Sequence, residues 1–137
     1  MKRKLTKIIA GIFLLGLMIV PTVTAGLQAP ILSTLSFSHQ HSGPAHDFTY
    51  RHIQWRGTRS APTAGATGVN ISVALVPGSV HGAPEFDYRN IPRNGSNHAT
   101  FNNANAGRYH FRFTKSNDGI TVTSNNVVIQ SSSSQWP

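Results

Sequence analysis

Cysteine is missing from all 137 residues. No disulfide can staple the fold, no thiolate can act as nucleophile or metal ligand, and no diacylglyceryl-cysteine anchor can form. Carboxylates are nearly missing too: Asp47, Glu85, Asp87 and Asp118 are the four acids of the chain. That leaves little material for general acid–base work. Glu85 and Asp87 share a face if extended, but Pro84 precedes them and nothing fixes the separation a glycosidase pair needs. No Gly-x-Ser-x-Gly elbow and no phosphate-binding glycine loop occurs. The expectation is a protein that is not an enzyme. Beyond Ala25 no window carries apolar residues at helical spacing, and no run of basic residues occurs. The first absence argues against helical architecture. The second argues against nucleic acid as a partner.

What is present begins with a leader. Lys2, Arg3, Lys4 and Lys7 make a basic start, and Ile8 to Val20 is apolar apart from Gly11 and Gly16. Pro21 breaks the segment, and Val23-Thr24-Ala25 offers the small residues a signal peptidase reads. The apolar run is 13 residues, against roughly 20 for a membrane-spanning helix. Residues 1–25 therefore read as a signal peptide, with membrane contact limited to the time before cleavage. Cutting after Ala29 is the alternative. The expected product is secreted, and the compact lysine-rich start has a bacterial look. Asn70-Ile71-Ser72 and Asn94-Gly95-Ser96 match a glycosylation acceptor pattern, which matters only in a eukaryotic secretory pathway.

Removing residues 1–25 leaves 112 of the 137 residues, one domain's worth. Four of the 12 cations leave with the leader and all four acids stay, so eight cations face four acids, a net charge of +4. A moderately basic exported protein is drawn to anionic surfaces such as wall polymers.

Short β-type runs recur between Gly, Pro, Asn, Ser and Thr punctuation, which predicts an all-β antiparallel sandwich over 26–130. Ile31 to His39, Phe48 to Arg56, Val69 to Val76, a short edge strand around Phe86 and Tyr88, and His98 to Asn102 are its early strands. Thr58 to Gly68 reads as a small-residue loop, and 131–137 as a flexible tail. In Arg108 to Thr114, Tyr109, Phe111 and Phe113 alternate with Arg108, His110 and Arg112, so the rings share one face and the basic residues the other. Ser116-Asn117-Asp118-Gly119 supplies turn chemistry before Ile120, Val122 and Val127-Val128-Ile129. The pattern predicts a hairpin with one buried aromatic face and one wet basic face.

Asn105-Ala106-Gly107-Arg108-Tyr109-His110-Phe111 resembles the tyrosine corner of immunoglobulin-like domains, with Phe111 where the second core position is often cysteine. The resemblance implies that Trp55 is the buried tryptophan facing it. It bears on fold alone.

Two sets of side chains are candidates for function. His39 and His41 stand two apart, so a strand projects both from one face, and His46 returns after Gly43-Pro44. Three imidazoles suit Zn²⁺ or Cu²⁺, although no cofactor is required by the sequence. Arg108, His110 and Arg112 form the basic row, and Trp136, Tyr88 and Trp55 are aromatic platforms where exposed. Together these features point to a binding module outside the cell, taking an anionic cell-wall polymer, a glycan or another surface protein. The alternatives are a metal-binding secreted protein using the histidines, and a secreted toxin or antimicrobial protein, which basic charge permits but no amphipathic helix supports.

Overall fold

A computed structural model describes residues 26–59 and 70–137. The leader and most of the small-residue loop, 60–69, lie outside the described residues. Among the described residues nine strands follow in chain order: β1 (Ile31–Phe37), β2 (Gln40–Ser42), β3 (His46–Phe48), β4 (His52–Arg59), β5 (Asn70–Pro77), β6 (Asp87–Pro92), β7 (Gly95–Phe101), β8 (Gly107–Thr114) and β9 (Val122–Ser132). The described residues contain no helix, and so none long and apolar enough to cross a membrane. The strands form two antiparallel sheets. One has the order β1-β9-β4-β7. The other runs β2-β8-β5-β6, with β3 continuing the β2 edge along β8.

The core lies between the sheets. The first sheet contributes Leu35, Phe37, Ile53, Trp55, Ala99, Phe101, Val122, Val127 and Ile129. The second contributes Phe48, Ile71, Val73, Leu75, Ile91, Tyr109, Phe111 and Phe113. Each large side chain taken from water adds about 1.5–3 kcal/mol, which lets the fold do without staples. Trp55 packs edge-on against Phe113, with centroids 5.5 Å apart. Phe101 packs on Phe111 at 6.2 Å. The three rings of β8 do share the buried face.

The hairpin expectation is overturned. β8 and β9 lie in opposite sheets. Both edges of β8 are already filled, by β5 on one side and by β2 and β3 on the other. The turn residues instead build an arch. Gly119 takes φ 76°, as the turn chemistry requires. Asp118 Oδ1 accepts the Ile120 amide at 3.1 Å, and Lys115 Nζ donates to it at 2.8 Å.

Two further readings change. Phe48 to Arg56 is not one strand: the chain crosses between sheets at Thr49–Arg51, which explains the slip in its parity. Residues 131–137 are not a free tail. β9 runs to Ser132, Trp136 Nε1 donates to the His52 carbonyl at 2.9 Å, and the Trp136 amide donates to Asn102 Oδ1 at 3.1 Å. A β-bulge at Asn125–Asn126 lets Ser124 and Val127 both face inward, since three steps of β9 match two of β1.

The tyrosine corner forms. Tyr109 Oη donates to the Asn105 carbonyl at 2.7 Å. In the immunoglobulin arrangement the last two strands are neighbours; here they are not.

Candidate ligand-binding groove on the outer face of the first sheet

The outward row of β4 is Gln54, Arg56 and Thr58. Register sets each beside its neighbours: Gln54 between Thr100 and Gln130, Arg56 between His98 and Val128, Thr58 beside Ser96. Directly opposed residues in an antiparallel pair share a face, so this is a polar, hydroxyl- and amide-rich surface with one arginine at its centre. At the bulge, Asn126 Oδ1 accepts the Thr58 amide at 3.0 Å and takes over where the β4–β9 ladder stops. At the opposite end the half-buried Trp136 is held by His52 and Asn102. Between these limits lies a groove of about 650 Å³ lined by Gln54, Arg56, Thr58, His98, Asn126 and Trp136, among others. Its size falls within the usual range for ligand sites.

Charge sets this face apart. Asp47 pairs with Arg108 at 3.2 Å, Glu85 with Arg112 at 2.7 Å, and Asp87 with Arg89 at 2.6 Å. Asp118 takes both Lys115 and Arg93. All four carboxylates are thus committed away from the groove. Arg56 and His98 are exposed and meet none of them.

The expected basic row of β8 has another fate. Arg108 is exposed but faces Asp47. His110 is fully buried under the segment that follows β5, with Nδ1 on the Gly78 carbonyl at 2.8 Å and the His81 ring 5.4 Å away. Arg112 is half-buried and donates to the Ala83 carbonyl at 3.1 Å as well as to Glu85. The outward face of β8 is therefore mostly covered, because the 78–86 segment folds back over it. Periodicity assigned the correct face; a covering loop from elsewhere in the chain decided its exposure.

The three histidines are not brought into one donor set. His39 Nδ1 lies 2.7 Å from the Lys115 carbonyl. His41 pairs with Phe113 and stacks on its ring, and His46 pairs with Tyr109. Those partners are four residues apart on β8, about 14 Å along the strand. Both His41 and His46 face inward and line a cavity of about 30 Å³ at the open side of the sandwich, with Pro44, Trp55 and Phe111. Burial there lowers the His46 pKa below the ordinary value, Arg108 adds to the shift, and Asp47 opposes it. No group of three or more His, Cys, Asp or Glu among the described residues is arranged to hold a metal ion.

Of the aromatic platforms, Trp55 is core, Tyr88 is half-exposed on the other sheet, and Trp136 lines the groove. Sequence reasoning missed Arg56, Gln54 and His98 because their coming together depends on the pairing of β4 with β7. The alternation Gln54-Trp55-Arg56 carried part of that signal.

No protein-family model matches this chain, and no curated protein matches it. What the geometry defines is a class: a two-sheet, antiparallel all-β domain with a polar groove on one outer face.

Proposed function

We propose that the protein is a non-catalytic binding module, exported and working at the cell envelope or beyond it, that holds a polyhydroxylated chain such as a glycan in the groove over β4, β7 and β9. The carrying observation is the locked Trp136 at one end of a groove floored by amides and hydroxyls. A fixed indole offers a stacking face at low entropic cost, and planar amides and hydroxyls match sugar hydroxyls. The absence of catalysis is supported by the carboxylates, which sit in separate ion pairs rather than as a facing pair. The sandwich is read as immunoglobulin-like through its tyrosine corner, with the last strand transferred to the opposite sheet. The leader of the chain supports export.

The test is affinity electrophoresis of the purified protein through gels containing soluble polysaccharides. Retardation that Trp136→Ala weakens about tenfold, in a variant that melts lower but still unfolds cooperatively well above the assay temperature, is the expected result. Equal retardation of both proteins on every polymer contradicts the assignment of the groove.

A further inference from the structure

We infer that His81 and His110 form a two-imidazole site for a divalent transition metal, Zn²⁺ or Cu²⁺, which clasps the segment after β5 onto the outer face of β8. The site lies on the second sheet, apart from the groove over β4, and stands or falls independently of it.

His110 supplies the first half of the site. Its ring is fully buried, and Nδ1 lies 2.8 Å from the Gly78 carbonyl. A carbonyl oxygen only accepts, so Nδ1 carries the proton and Nε2 of the neutral ring is left as a bare lone pair. That Nε2 is buried and has no hydrogen-bond partner among the described residues. A buried polar atom without a partner is uncommon and costs free energy, and an ion is one of the things that answer it. A ring held through Nδ1–H on a backbone carbonyl is also the arrangement in which histidine coordinates metal through Nε2. The first bond fixes both the tautomer and the orientation of the ring.

A second imidazole stands beside the first. The Ala83 amide donates to the Val80 carbonyl at 3.3 Å, and Gly82 takes φ 87°, as the third position of a type II turn demands. His81 occupies the second position of this turn and is exposed. Its ring centre lies 5.4 Å from that of His110. Two Zn–N bonds of about 2.0–2.1 Å at a tetrahedral angle put the two ring centres about 5 Å apart. The observed spacing meets that demand with little movement, and an exposed His81 can turn without leaving a packed position.

The surroundings select the ion. The chain has no thiolate, and Glu85, the carboxylate of the covering segment, is bonded to Arg112. A donor pair made of imidazoles suits Zn²⁺ and Cu²⁺, whereas Ca²⁺ and Mg²⁺ need oxygen ligands. Arg108 and Arg112 flank His110 on β8, and their ion pairs with Asp47 and Glu85 reduce the repulsion a metal cation meets there. Two protein ligands leave coordination positions to solvent, so the affinity belongs in the micromolar range rather than that of a closed four-ligand site.

The experiment is calorimetric titration of the purified, tag-free protein with Zn²⁺, Cu²⁺ and Mg²⁺ at neutral pH. One Zn²⁺ or Cu²⁺ per chain should bind in the micromolar range, and Mg²⁺ should not bind. His81→Ala changes an exposed turn residue and should weaken binding about tenfold or more, while His41→Ala binds as wild type. Substituting the buried His110 risks the fold, so His110 is read in the wild-type protein. By NMR its Nε2 resonance should move on addition of Zn²⁺ while Nδ1 keeps its proton, and the amides of 78–86 should exchange more slowly. No binding of either ion, undiminished binding in His81→Ala, equal loss in His81→Ala and His41→Ala, or a His110 Nε2 resonance that does not move each overturns the site.

Discussion

Removing one oxygen from the tyrosine corner tests how the two sheets are joined. Tyr109 packs its ring on Phe48, with centroids 6.2 Å apart, and its hydroxyl donates to Asn105 at 2.7 Å. Tyr109→Phe keeps the ring and deletes that bond. A neutral hydrogen bond contributes about 0.5–1.5 kcal/mol net. Asn105 is exposed, so its carbonyl regains water in the variant and the loss falls in the lower half, about 0.5–1 kcal/mol. Tyr109→Ala also removes the ring from a position that is 7% exposed and should cost about 3–5 kcal/mol. Urea denaturation of both variants at neutral pH measures the two numbers, and the melting temperature should fall by about 4 °C per kcal/mol in a domain this size. The Asn105–Gly107 connection should exchange its amides faster in Tyr109→Phe, because the bond pins that turn. A hydroxyl loss of about 3 kcal/mol, equal to removing the whole ring, refutes the reasoning. So does no loss in Tyr109→Phe together with unchanged exchange.

Other contacts of the fold set further expected outcomes. Lys115 first, then Arg93, hold the Asp118 carboxyl far below the usual carboxylate range. A depressed folded value means stability that is complete above the unfolded pKa near 4 and lost as pH falls toward the folded one. Urea midpoints between pH 2 and 5 should therefore decline less steeply in Asp118→Asn, which starts from a lower plateau because two buried cations have lost their carboxylate. For His46, Arg108→Ala removes a neighbouring positive charge, so the histidine should titrate at higher pH by NMR; an unchanged or lower midpoint contradicts the contact. Gln28 donates to the Asp47 carbonyl at 2.9 Å and accepts the Thr49 amide at 3.2 Å and the Ser131 hydroxyl. Gln28→Ala should cost about 1–3 kcal/mol by calorimetry, and a product starting at Pro30 should be less stable than one starting at Gly26. Arg112→Ala should destabilise more than Arg108→Ala in the same assay, since of these two side chains it is Arg112's that bonds the 78–86 segment, through Ala83 and Glu85.

The sequence alone determined what local chemistry controls. Period-two alternation put Tyr109, Phe111 and Phe113 on a buried face, because successive side chains of any strand must point to opposite sides. The run Asn70 to Val76 was legible for the same reason. The tyrosine corner was legible because it joins residues four apart. Tertiary structure decided what depends on partners distant in the chain. Which strands neighbour one another is not written in alternation, so the arch from β8 to β9 was indistinguishable from a hairpin. Exposure of an outward face depends on what folds over it, and the 78–86 segment buried His110. The tail looked free because its anchors, His52 and Asn102, lie 84 and 34 residues away. The carboxylates were legible as four residues, but only the fold showed which cations they neutralise. That pairing engages Arg108 and Arg112 within the protein and leaves Arg56 exposed on β4, since a charge is available to a ligand only where the protein has not already answered it.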